Sequence, residues 1–521
     1  MPKMSSKHSL TLTTLRTLTK DRMFVAGLLM FAILAAMSIA GYIIVPEDAR
    51  TNWYLNERWT LNPKLAPPCW ADYLTSTSRA PTTNLSVSEV SEFWQIKAEE
   101  VWEEKYKELV RLGITDEVIL ENLKAKTYEN FRELYQGRGL VHEFRYELAY
   151  DIPPQDMAII IYNNGPTKIA NSTVKLVRPD GVEIRFTLSQ NTELQEGGST
   201  ILKFSQAKDF KERLVKDFLS SQTDLAMLRA LADYVEYGIK TPLEVFFYGS
   251  FGSGGNVSLG NLVKGVYSVK VAMIFNDTVD KNNINTQLRV LGSCYGVLGT
   301  DNVGRDNLWT LLSGAGIALL IGLPYALISR IIGLLYGATS GYYGGTLVDT
   351  VMQRICEVIY AMPFLPFIIL ISYTLKETGT QISIWQIVGL LVIFGWPGVA
   401  IVSRSMALSV REEPYVEAAK ALGASDLRII LKYIIPQLMP YFFTSVMLAT
   451  PGAILTEVFL SVLGLTDPNM PSWGKMISGA QLTVHAWWWI IPPGIAITIT
   501  GLTFMFLGYS IENTTNPRRR L

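Results

Sequence analysis

The chain has 521 residues, 49% of them apolar, and its 46 basic side chains balance its 46 acidic ones. That balance gives no reason to expect a nucleic-acid partner. His8, His142 and His485 are scattered, which argues against a clustered histidine metal site, and CxxC, HExxH, GxSxG and the phosphate-cradling GxxxxGK[ST] loop do not occur.

Residues 1–22 are polar and basic, with Lys3, Lys7, Arg16, Lys20 and Arg22. Residues 23–45, "MFVAGLLMFAILAAMSIAGYIIV", carry no charge and are long enough to cross a bilayer. A signal peptide is the competing reading. The run is long for one, and no small-residue cleavage site follows it, so a retained helix is expected. The basic residues ahead of it put the N-terminus in the cytoplasm.

Residues 46–300 read as ordinary soluble protein and fall outside. Within them, roughly 88–135 is charged and helical. Trp94, Ala98, Val101, Trp102 and Leu109 share one face, Gly113 ends that helix, and Thr115-Asp116 can cap the next. From 156 to 205 the period changes to two. In "VKLVRPDGVEIRFTL", Val182, Ile184, Phe186 and Leu188 alternate with Glu183, Arg185 and Thr187, and Pro179-Asp180-Gly181 supplies a turn. A helical stretch at 207–238, a loop at "FGSGGN" (251–256) and a strand at 266–275 complete an α+β domain large enough for its own core. Cys69 and Cys294 lie near its two ends, where a disulfide is permitted outside the cell; two free buried thiols are the alternative. Sequons at Asn84, Asn171, Asn256 and Asn276 agree with that location, weakly.

Five more apolar runs follow, at 307–335, 348–375, 383–403, 439–464 and 487–510. With the first helix they make six spans, which brings the C-terminus and its "NPRRR" (516–520) back inside. Pro324, Pro363, Pro366, Pro397, Pro440, Pro451, Pro492 and Pro493 fall in or beside the spans, where membrane helices tolerate them. Arg354 and Glu357, one turn apart, and the deeper Glu457 are the charges read inside spans, and so are pathway or gate candidates, with packing as the alternative role.

Between two spans stands "EAAKALGASDLRIILKYIIP" (417–436). Glu413 and Glu417 favour the start of a helix, Gly423 can take the left-handed conformation that ends it, and Ser425 or Asp426 can cap the next. Arg428 and Lys432 share a face, and Pro436 closes the second helix. Ala418, Ala419 and Ala421 offer a close-approach surface. A DNA-binding helix-turn-helix is excluded, since the second helix is too apolar and both flanks enter the membrane. A structural loop and a docking elbow for a cytoplasmic motor remain.

This segment resembles the EAA motif of ABC importer permeases. Glu417, Ala418, Ala419 and Gly423 match; in the ending, Tyr433-Ile434-Ile435-Pro436, only Pro436 and an aliphatic neighbour hold. "LGTDNVGRD" (298–306), "SGYYGG" (340–345), "EVFLSVLGL" (457–465), "PSWGKMI" (471–477) and "NPRRR" are similar, in the same order, to the C-type permease subunit of the dipeptide/oligopeptide importers. The resemblance covers about 298–521 and the first helix, and not 46–297.

It implies an α-helical membrane protein of the plasma membrane with six transmembrane helices in the ABC importer permease fold; the reading of residues 46–300 adds a large α+β extracellular domain inserted between the first and second spans. The domains are then 1–22 and 511–521 (cytoplasmic), 23–45 (first span), 46–300 (insert) and 301–510 (permease), with the elbow at 411–436. It further implies half of an alternating-access pathway for peptides or similar oligomers. Partners are a second homologous permease, two ATP-binding subunits that carry ATP and Mg, an external substrate-binding protein and membrane lipid. This chain itself binds no cofactor and is no enzyme. Glu417, Ala418, Ala419, Leu422, Gly423, Ala424 and Asp426 would couple to the ATPases, and Gly299, Thr300, Asp301, Gly304, Arg305 and Asp306 form the motif before the second span. Import of oligosaccharides or another solute, an ion-coupled secondary transporter, and a receptor on a membrane anchor are the rival functions. For the insert, the expectation is a rigid cap over the outer opening that contacts the loaded binding protein and hydrolyses nothing.

Overall fold

The structure, a computed structural model, describes residues 18–515 apart from 55, 165–166, 195–197, 208, 215–241, 249–260, 379–382, 482 and 484. Most of the helix expected at 207–238, the 251–256 loop, Asn256 and the 516–520 tail lie outside the described residues. In chain order, α1 spans Arg22–Ile44, α2 Phe93–Arg111, α3 Glu117–Tyr135 and α4 Asn307–Tyr342. Then come α5 (Leu347–Ala361), α6 (Phe364–Glu377), α7 (Ile384–Gly395), α8 (Pro397–Arg411) and α9 (Pro414–Ala421). The last are α10 (Asp426–Val462), α11 (Trp473–Ala480) and α12 (Trp487–Thr515).

Two compact units divide the chain. One is Arg58–Gly304; the other joins the segment up to Glu57 to the segment from Arg305 onward. The boundary differs from the expected 46–300. Val45–Glu57 stays with the apolar helices, through a helical turn at Glu47–Thr51 and a hydrogen bond from the Tyr54 N–H to Asn469.

Among the described residues, α1, α4, α10 and α12 are each long and apolar enough to cross a membrane. The pairs α5–α6 and α7–α8 qualify only when each is counted as one bent span, with bends of 72° and 41°. Single spans were expected at 348–375 and 383–403; Pro363 and Pro397 break them, because proline removes a backbone donor and crowds the preceding turn. At 36 residues α4 is about 54 Å long, well beyond a hydrocarbon core of ~30 Å. It is capped by Asp306, whose carboxylate accepts from the N–H groups of Leu308 and Trp309. Helix α1 crosses it on small residues. A Cβ on Gly41 would lie 2.8 Å from the carbonyl carbon of Leu312, and one on Gly316 would lie 3.0 Å from Ser38 Oγ. Small residues let two backbones approach closely, which is how helices associate where there is no water to drive them together.

The Arg58–Gly304 unit is a β-sandwich with helices. One sheet has the order β1-β9-β4-β7 and the other β2-β3-β8-β5-β6, with all named pairs antiparallel. The strands are β1 Thr83–Ser86, β2 Glu89–Glu92, β3 Gly139–Leu148, β4 Asp156–Asn163, β5 Thr167–Val177, β6 Glu183–Leu194, β7 Ser199–Lys203, β8 Gly265–Phe275 and β9 Ile284–Leu291. Phe144, Tyr146, Val174, Phe186, Val269 and Val271 of one sheet meet Met157, Ile159, Leu288 and Val290 of the other in a single apolar core. Each such side chain contributes about 1.5–3 kcal/mol on burial. Asp116 caps α3 as the sequence suggested, accepting from the N–H groups of Val118 and Ile119.

Candidate functional site: a helical elbow and its anchorage

The 411–436 segment is an elbow, and its second arm differs from expectation. The first arm, α9, begins at Pro414 and ends in a Schellman turn: Gly423 N–H bonds Lys420 O at 3.0 Å, and Ala424 N–H bonds Ala419 O at 3.1 Å. Gly423 has φ +81°, a conformation that costs a β-carbon-bearing residue about 1–2 kcal/mol. The second arm is not a separate helix closed by Pro436. It runs on as α10, because a π-turn over Ile430–Ile434 bonds Ile435 N–H to Ile430 O and so accommodates the donor that Pro436 lacks.

Burial splits the alanines. Val416, Ala419 and Ile429 are buried, and Val416 and Ile429 pack with Leu334, Ala338, Tyr342 and Ala407. Glu417, Ala418, Lys420 and Ala421 face outward. Leu422 is 89% exposed and Leu427 66% exposed, so two large apolar side chains stand at the tip of the turn. Asp426 does not cap α10; its carboxylate accepts from Tyr342 Oη at 2.6 Å and from Tyr343 Oη at 3.0 Å. A pocket of about 400 Å³ beside it is lined by Tyr342, Tyr343, Arg411, Glu417, Lys420 and Asp426.

Behind the elbow lies a polar knot that the sequence reading missed. Asp349, 3% exposed, takes both Arg404 Nε and Nη2 at 2.7 Å, and also accepts from Ser340 Oγ at 2.7 Å and Gly345 N–H at 3.0 Å. Arg411 donates to Tyr342 O at 3.3 Å and Gly344 O at 2.9 Å. The signal was available: an aspartate and an arginine bordering apolar runs, by the same rule that singled out Arg354 and Glu357. Those two do pair, at 2.8 Å, but both are exposed on the surface of α5. Glu457 is buried and accepts from Ser461 Oγ at 2.7 Å; Ser461 in turn meets Thr466 Oγ1 at 2.8 Å, so the carboxylate ties the end of α10 to the loop after it.

The 298–306 motif is divided between the units. Thr300 and Asp301 are buried against the entering chain, with Leu65 N–H to Asp301 O at 2.8 Å, Thr300 Oγ1 to Pro63 O at 2.8 Å and Asn62 Nδ2 to Gly304 O at 2.9 Å. Gly299 begins this stretch with a left-handed φ of +65°. Arg305 lies over the Tyr54 ring, and Asp306 caps α4. Within the Arg58–Gly304 unit Cys69 and Cys294 form a disulfide, with Cα atoms 4.9 Å apart. The sandwich's histidine, His142, is buried against Thr286, and burial pushes its pKa down to about 4.

Residues 331–521 match the family model described as the binding-protein-dependent transport system inner membrane component. The chain is 35% identical over 225 residues to the dipeptide transport system permease protein DppC of Bacillus subtilis, covering 43% of this chain and 68% of that one. It is 37% identical over 229 residues to the oligopeptide transport system permease protein OppC of Haemophilus influenzae, covering 43% and 71%. With OppC of Bacillus subtilis it shares 34% over 225 residues, covering 43% and 72%. The chain belongs to the peptide ABC importer permeases. A permease of this family is a multi-pass transport subunit of the plasma membrane, which accounts for the several apolar helices. The elbow and the 340–349 knot both fall within the stretch that matches the family model, and the sandwich lies before it.

Proposed function

We propose that this permease forms half of an alternating-access pathway that imports di- or oligopeptides, driven by separate ATPase subunits that dock on the elbow. The observation that carries the reading is the elbow's shape: a glycine-dependent turn that holds Leu422 and Leu427 exposed at the end of an apolar helix bundle. Large exposed apolar side chains on a firmly built turn suit insertion into a partner's cleft. The names of the relatives favour peptides over oligosaccharides. ATP and Mg belong to the partner subunits, a second permease completes the pathway, and an external binding protein delivers the substrate.

In this reading α1, α4, α5–α6, α7–α8, α10 and α12 are six spans, both termini are cytoplasmic, and the Arg58–Gly304 unit is extracellular. A disulfide suits that compartment. The sandwich serves as a docking platform for the binding protein. Its histidine is buried in the core, a position that suits packing and not hydrolysis. A cysteine placed at exposed Asn276 is expected to react with an impermeant thiol reagent in intact cells; reaction only after permeabilisation would reverse the topology.

Gly423→Val tests the elbow. Valine cannot hold the +81° backbone without strain, so co-purification of the ATPases and peptide uptake should both fall while the permease still accumulates in the membrane. Normal co-purification and normal uptake would refute the coupling role.

A further inference from the structure

The turn between α4 and α5 grips three other elements at once. Asp349, on α5, holds α8 through Arg404, the end of α4 through Ser340, and the turn itself through the Gly345 N–H. Gln353 Nε2 adds a second bond to Ser340 at 3.1 Å. Arg411, the last residue of α8, holds the carbonyls of Tyr342 and Gly344. Tyr342 and Tyr343, packed edge to face with ring centroids 5.1 Å apart, then reach out to the two carboxylate oxygens of Asp426. Each tyrosine takes a different oxygen, so the carboxylate is fixed in position and orientation. The first turn of α10 has no side-chain cap from Ser425.

We propose that Tyr342 and Tyr343 are positioning residues that fasten the elbow, through Asp426, to the α4–α5 turn, so that elbow and turn move as one body when a docked ATPase moves. This rests on the coupling role proposed for the elbow. A push at Leu422 or Leu427 reaches α10 directly along the chain. The tyrosine clasp, and the Asp349–Arg404 pair behind it, add a directional polar link to α4, α5 and α8 beside the apolar packing of Val416 and Ile429 on Leu334, Ala338 and Ala407. Without the clasp, ATP hydrolysis and the opening of the pathway come apart.

The test uses the full complex in proteoliposomes, with partner permease, ATPases and binding protein, and reads peptide molecules transported per ATP hydrolysed. Asp426→Ala and Asp426→Asn both remove the charge from the start of α10, but only asparagine keeps an oxygen that accepts from the tyrosines. The ratio should fall about tenfold in Asp426→Ala, the order expected for lost charge-assisted bonds, and stay within about threefold of wild type in Asp426→Asn. The Tyr342→Phe/Tyr343→Phe pair should match Asp426→Ala, and combining it with Asp426→Ala should lower the ratio no further, because both remove the same clasp. Equal losses in Asp426→Asn and Asp426→Ala would assign the effect to charge alone and overturn the proposal, as would additive losses or an unchanged ratio. Should the phenylalanine pair fail to assemble, the asparagine–alanine comparison decides by itself. A wild-type complex that transports without ATP would instead defeat the coupling role, leaving the two failures distinct.

Discussion

In the sandwich unit several ion pairs lie at the surface: Lys270 with Glu143 at 3.2 Å and Lys175 with Glu183 at 2.6 Å on the sheet, and Arg185 with Glu100 of α2 at 2.9 Å. In the helical unit the tightest ion pair among the described residues, Asp349–Arg404, is turned inward and wrapped in further hydrogen bonds, while many exposed positions on the helices are aliphatic. The difference follows the solvent each unit meets. Water screens a surface pair and makes it worth little, whereas hydrocarbon forces polar groups to find partners inside the protein. The consequence is functional. Burying its polar contacts at helix ends lets the helical unit carry a rigid joint beside the elbow, and the sandwich needs only a stable shape.

If that contrast is right, removing a charge should cost far more at a buried, wrapped pair than at an exposed one. Arg404→Ala leaves Asp349 buried without its partner and should destabilise the permease by about 3–5 kcal/mol, seen as loss of monodisperse protein on heating in detergent. A stability close to wild type would show that the knot is not structural. Breaking the Cys69–Cys294 bridge is the next effect in size. Cys294→Ser should weaken the sandwich by about 2–4 kcal/mol and speed proteolysis within Arg58–Gly304, with the helices unaffected. Finding both thiols free in protein isolated without reductant would remove the premise.

Acid should weaken the sandwich through His142, while Asp156, whose carboxyl burial holds above its usual range, acts in the opposite sense. His142 is held neutral, with its pKa at about 4 against 6.5 when unfolded, so the unfolded chain takes up the proton first. Stability is therefore complete above pH 6.5 and falls as pH drops toward 4, by up to about 3 kcal/mol. His142→Leu should flatten that slope in proteolysis assays of the full chain; an unchanged slope would assign it elsewhere. The smallest effect belongs to the exposed Arg354–Glu357 pair. Arg354→Ala should shift stability by less than ~1 kcal/mol, and a larger loss would mean that a partner chain buries it.

What the sequence made legible was local. The helix pair α2–α3 with its Asp116 cap, the β5–β6 hairpin turning at Pro179-Asp180-Gly181, strand β8 and the glycine break at 423 all announce themselves within a few residues. What stayed hidden depends on distant partners. Strand β3 alternates, but its register is set by β8, more than a hundred residues on, and β9 is likewise defined by β4. Asp349 and Arg404 stand 55 positions apart. Pro436 reads as a helix end because a π-turn, which no local pattern marks, is needed to carry a helix past it.

In the proposed function, ATP hydrolysed on separate subunits drives transport through this permease. The most direct test is uptake of a labelled dipeptide or oligopeptide into proteoliposomes that hold the permease with its partner permease and ATPases, the binding protein being supplied on the opposite face from ATP. Uptake should require both ATP and the binding protein, persist when ion gradients are collapsed, and be lost with Gly423→Val. Uptake that follows an ion gradient and proceeds without ATP would contradict the proposed function.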